Sequence, residues 1–149
     1  MRNVGKLCSL VYVAVLAAGL VGCGGQASLP SPVDRLPGRW QGQMIVYEDA
    51  VAGKLTPEQV AALAQQRLAL DFAPDGTMVT TGEIQGQAFS TPGRWQVVAE
   101  EGELLKIQST EEGGQTKDVN IEFEGSDVFY IPLKTEVAEL GAMRFERLR

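Results

Sequence analysis

From residue 38 onward, apolar and polar positions alternate in short runs separated by turn residues. Trp40-Gln41-Gly42-Gln43-Met44-Ile45-Val46-Tyr47 reads as a first strand. Leu68, Leu70 and Phe72 alternate with Ala69 and Asp71, and Pro74-Asp75-Gly76 turns the chain into residues 77–82. Trp95, Val97 and Ala99 make the next strand, which Glu101-Gly102 turns into residues 104–109. Glu112-Gly113-Gly114 then precedes Val119, Ile121 and Phe123. Residues 128–133 follow, and Met143, Phe145 and Arg147 close the chain. Short strands with Gly, Pro and Asp turns at intervals near ten residues predict an all-β barrel or sandwich.

One segment departs from period two. Thr56-Pro57-Glu58-Gln59 offers an N-cap, a proline at the first helical position and Gln at N3, the elements of a capping box. Val60, Ala61, Leu63 and Ala64 add a helix-compatible apolar stripe, so one short helix is expected over residues 57–65, inserted after the first strand. It serves either as a lid over a barrel mouth or as a connection plugging one end.

The N-terminal pattern differs again. Arg2 and Lys6 precede an apolar run over residues 7–20, interrupted only by Ser9 and Gly19. That run is shorter than the ~20 residues a membrane-spanning helix needs. A charged start, short apolar stretch and small-residue exit read as a secretory signal. Leu20-Val21-Gly22-Cys23 resembles the lipobox of bacterial lipoproteins. The resemblance implies removal of residues 1–22, lipidation of Cys23 and a membrane anchor of three acyl chains. Gly24 follows the cysteine where inner-membrane lipoproteins tend to carry Asp. The same resemblance therefore implies the periplasmic face of the outer membrane, if the organism is diderm.

Composition sharpens this picture. Residues 23–37 form the lipidated N-terminus and a small, polar, proline-punctuated tether, leaving 38–149 as the domain. Removing residues 1–22 from the 149 leaves 127, enough for one packed core. It also removes two of the 13 cations and no acid, taking the net charge from −6 to −8. Phosphate recognition needs clustered Lys and Arg, so nucleic acid is not an expected partner. Cys8 leaves with the signal and Cys23 is consumed by lipid, so no thiol remains for a disulfide or metal.

An internal echo accompanies the strands: Pro37-Gly38-Arg39-Trp40-Gln41 recurs as Pro92-Gly93-Arg94-Trp95-Gln96, and Leu70-Asp71-Phe72 is matched by Ile121-Glu122-Phe123. Either two half-barrels share a design, each opening on a glycine turn that drops Trp into the core, or this is a convenient way to begin a core strand. Gly38-Arg39-Trp40 on the first strand, with Arg147 on the last, resembles the G-x-W signature of lipocalins and related calycin barrels. That resemblance implies an antiparallel barrel of about eight strands, closed at one end by Trp40 with Arg147 across its face in a cation–π contact. The second G-x-W and the inserted helix depart from the lipocalin pattern.

Candidate chemistry is sparse. Without histidine the chain lacks Ser-His-Asp and Cys-His catalysis and imidazole metal sites. Asp71 and Glu122 occupy equivalent places in the echo and are a formal acid–base pair, yet alternation turns both toward solvent. Glu100-Glu101 and Glu111-Glu112 precede turn glycines without the spacing of a calcium loop. Nine aromatics, Trp40, Tyr47, Phe72, Phe89, Trp95, Phe123, Phe129, Tyr130 and Phe145, are spread along the strands and suffice to fill a small interior. The expectation is a monomeric, non-enzymatic envelope lipoprotein with no catalytic residue, metal or cofactor. It binds a small apolar or amphipathic ligand or, alternatively, contacts an envelope protein through loops at 48–56 or 83–92.

Overall fold

The computed structural model describes residues 28–84, 86–134 and 139–149; Cys23 and the expected signal segment lie outside them. Eight strands run in order: β1 (Gly38–Val46), β2 (Arg67–Phe72), β3 (Thr77–Ile84), β4 (Gln87–Glu101), β5 (Leu104–Glu111), β6 (Thr116–Glu124), β7 (Val128–Lys134) and β8 (Glu139–Arg147). Each pairs antiparallel with the next, and β8 pairs back onto β1 to close the barrel. Closure is how an antiparallel sheet removes its edges. The expected small all-β barrel is thus observed, with every anticipated strand present.

Alternation sets the interior. Trp40 and Met44 of β1, Leu70 and Phe72 of β2, Leu105 and Ile107 of β5, Ile121 and Phe123 of β6, Phe129 of β7 and Met143 and Phe145 of β8 form one buried cluster. Their neighbours along each strand face outward.

Among the described residues, three short helices accompany the barrel: α1 (Pro32–Arg35), α2 (Glu48–Val51) and α3 (Pro57–Ala64). The capping box of α3 is formed, with the Thr56 hydroxyl accepting from the Gln59 amide and the Gln59 side chain accepting from the Thr56 amide. A single helix was expected after β1; α2 precedes it, begun by the acidic pair Glu48 and Asp49 and burying Val51. The tether expected over residues 24–37 also requires correction. From Ser31 the chain enters α1, and Arg35 and Leu36 are buried. Pro32 at the helix start and the apolar Leu36 are the signals that a proline-punctuated reading passed over.

The echo has no architectural counterpart. Gly38 adopts φ 134°, whereas Gly93 lies inside the unbroken fifteen-residue β4 and makes no turn. A Cβ at Gly93 would come within 2.7 Å of the Thr110 carbonyl oxygen, so the small residue permits close strand approach. β1 and β4 also run in opposite directions around the barrel, so the two G-x-W segments cannot begin equivalent half-barrels.

Two prolines end two ladders. Pro92 lies on β4 where pairing with β5 begins at Gly93–Glu111, and its carbonyl accepts from the Glu112 amide on the β5 side. The ring nitrogen on that side has no proton to continue the ladder. On β7, Pro132 follows two residues after Tyr130, which pairs with Glu122. The Phe123 amide points to Glu103 on the β5 side, so Glu122 and, by alternation, Tyr130 and Pro132 use the β6–β7 side. Pairing between β6 and β7 accordingly stops after Glu122–Tyr130, Phe123–Phe129 and Glu124–Val128, while β7 continues along β8.

Candidate functional site

The two ends of the barrel are built differently. At the closed end, Trp40 is fully buried and its Nε1 donates to the Leu36 carbonyl at 2.9 Å. Its ring packs edge-on against Phe129 at 4.5 Å between centroids, and Phe129 stacks on Phe145 at 4.8 Å. The Arg147 guanidinium carbon sits 4.1 Å from the Trp40 ring centroid. The same guanidinium donates to the Pro37 carbonyl at 2.9 Å and to the Arg35 carbonyl, and pairs with Asp127 at 3.3 Å. A Cβ at Gly38 would lie 2.5 Å from Arg147 Nη1, which with the positive φ explains why glycine stands there.

Arg35, placed by sequence in the tether, is a second bolt. It is 4% exposed, lies 4.7 Å from the Phe123 ring centroid, donates to the Gly125 carbonyl at 2.6 Å and pairs with Glu103 at 2.6 Å. These bonds join α1 to the β4–β5 and β6–β7 turns. The closed end is a structural lock, and its charges are consumed by it.

The opposite end carries the other two helices. α2 and α3 fill the connection from β1 to β2, and between them lies a groove of about 370 Å³ lined by Val51, Ala52, Leu55, Val60, Ala61 and Ala64, with Glu48 at its border. Val51 is buried at 3% exposure, yet α3 buries none of its own residues. Leu63 packs against the upper core, so the stripe at Val60, Ala61 and Ala64 faces the groove. Inward positions at this end are only partly covered: Thr80, Phe89, Thr91, Val119 and Ile131 are half-buried. Lys117 and Glu111 span the rim as an ion pair at 3.7 Å.

The carboxylates flagged by the echo do not meet. Asp71 is on β2 and Glu122 on β6, four strands apart in an eight-stranded ring, and both are exposed. Asp71 faces Arg39 at 3.8 Å. Among the described residues, no three His, Cys, Asp or Glu side chains come together as metal ligands. Three exposed acids have lowered proton affinity for ordinary reasons. The Thr77 hydroxyl and amide hold Asp75 down, the Lys106 ammonium at 3.1 Å holds Asp118 down, and its own backbone amide with the Thr56 hydroxyl holds Glu58 down. Each favours a permanently ionised carboxylate, the opposite of a general acid.

Comparisons with known proteins bear on the fold. No protein-family model matches the chain, and a search of curated proteins finds no match. Among solved structures, a redesigned β-barrel is similar at TM-score 0.51 with 17% identity, covering 83% of this chain and all of that one. A de novo designed fluorescence-activating β-barrel aligns at TM-score 0.47 with 11% identity over 80% of this chain and all of the design. At such identities, the first likeness speaks to the barrel architecture alone.

Proposed function

We propose that the chain is a bacterial lipoprotein, anchored through Cys23, whose barrel binds a small apolar or amphipathic molecule between α2 and α3 without catalysing its conversion. The carrying observation is the groove itself: an apolar stripe on α3 that the barrel leaves uncovered, facing α2 across about 370 Å³. That volume falls within the ~300–1,000 Å³ typical of small-molecule sites. Glu48 at the border suits a ligand with a cationic or hydrogen-bond-donating head and an apolar body. In a diderm organism, the anchor places the domain on the periplasmic face of the outer membrane.

The position of α1 supports an orientation. The chain enters the barrel at the closed end, so the seven residues from 24 to 30 link the lipidated cysteine to that end. Fully extended they reach about 23 Å at ~3.3 Å each. The closed end then faces the bilayer and the groove faces away from it.

Native mass spectrometry of the lipoprotein purified from its own envelope tests the reading. A co-purifying lipid-like molecule, lost when Ala61→Trp fills the groove, is the expected result. An empty groove, together with failure of apolar fluorescent probes to bind, would contradict it. Separately, Cys23→Ser is expected to abolish lipid labelling and release the domain from membranes.

A further inference from the structure

The upper part of β4 offers a different kind of site, independent of the groove. From Gln87 to Pro92 this strand pairs with β3 on one side, while pairing with β5 on the other begins only at Gly93. The Pro92 carbonyl accepts from the Glu112 amide and so points to the unpaired side. By strand alternation, the N–H and C=O of Ser90 and Ala88 point the same way. Among the described residues no strand meets them there. Both side chains are small and exposed, so nothing on the outer face obstructs an approaching backbone.

Such a segment is a template for strand addition. We infer that β4 receives an extended, basic segment of a partner protein, which pairs with Ala88 and Ser90 as an added strand. The charge of the surroundings carries the choice of partner. Glu83 pairs across from Ala88 and is exposed, and exposed Glu112 sits beside Pro92 at the other end of the open stretch. Lys117, across the β5–β6 turn from Glu112, is already paired with Glu111, and the exposed Arg94 lies on the far side of Pro92, outside the open stretch. A second copy of this chain, paired antiparallel about a two-fold axis near Ser90, would bring Glu83 of one copy toward Glu112 of the other. Pro92 sets the length of the site, because it offers no N–H beyond Ser90.

The test uses the full chain in detergent micelles and two labelled peptides, one alternating Lys with Val and one alternating Glu with Val. Binding is read by fluorescence anisotropy and by amide shifts in nitrogen–proton NMR spectra. The basic peptide is expected to bind at least about tenfold more tightly than the acidic one and to shift the Ala88 and Ser90 amides. Ser90→Pro removes only the outward N–H and should weaken binding by about tenfold while the other amides keep their positions. Ser90→Lys, which leaves the backbone donor in place, should weaken the basic peptide and not the acidic one. Equal binding of both peptides, or binding unaffected by Ser90→Pro, would overturn the proposal. A concentration-dependent dimer that Ser90→Pro dissolves would overturn it in favour of a second copy.

Discussion

The closed end and the helical end of this barrel spend the same residue types on opposite purposes. Arginine at the closed end packs against aromatic rings and backbone carbonyls: half-buried Arg147 over Trp40, buried Arg35 over Phe123. Lysine at the rim stays exposed in a surface pair with Glu111, the kind of contact that contributes ~0–1 kcal/mol. Proline closes the lower end by starting α1, whereas Pro92 and Pro132 higher in the barrel interrupt ladders. Apolar side chains are interlocked below and left facing a groove above. The contrast teaches that the fold concentrates its stability in one end and thereby leaves the other free to bind.

Substitutions can break that contrast in order of size. Trp40→Ala removes the fully buried ring that contacts Phe123 and Phe129 and should cost about 3–5 kcal/mol in urea unfolding. Arg147→Met keeps much of the bulk but leaves the Pro37 and Arg35 carbonyls without their donor, so a loss of about 2 kcal/mol is expected by the same method. Pro132→Val returns an N–H toward β6 opposite Asn120; about 0.5–1 kcal/mol of added stability, with slow exchange of the new amide, should follow. Val60→Asp on the exposed α3 should move stability by less than about 0.5 kcal/mol yet abolish binding of an apolar probe. A variant at Val60 as damaging as Trp40→Ala would erase the distinction between the two ends.

The pH response belongs to the surface turns and sheet. Asp75 and Asp118 bind protons less readily when folded than in the unfolded chain. The unfolded state therefore takes up more protons, and their contribution is present above the usual carboxylate range and lost as pH falls through the lowered folded values. With no histidine in the chain, the unfolding midpoint should stay nearly level between about pH 6 and 8 and decline in acid. Asp75→Asn and Asp118→Asn should flatten the acid limb.

Much of the barrel was legible because it rests on local chemistry. Period-two alternation marked every strand, and Thr56-Pro57-Glu58-Gln59 marked α3 through a capping pattern that the side chains then satisfy. The loop expected at 83–92 is instead mostly strand, the end of β3 and the start of β4: Pro92-Gly93 reads as a turn in isolation, and only pairing with β3 shows it to be continuous. α1 was hidden because four helical residues carry little periodicity, and its stability comes from tertiary bonds made by Arg35 and Leu36. The groove was harder still. Its apolar stripe has the spacing of a core stripe, and only the placement of α2 opposite α3 reveals that the barrel does not cover it.

Native-state hydrogen exchange across the whole chain measures the asymmetry most directly, since local opening free energies rank the two ends on one scale. The slowest amides should belong to the lower strands around Trp40, Phe123, Phe129 and Phe145. Amides of α3 and the outward amides of Ala88 and Ser90 on β4 should exchange orders of magnitude faster. Equal protection at both ends would contradict the claim that a locked end supports an open one.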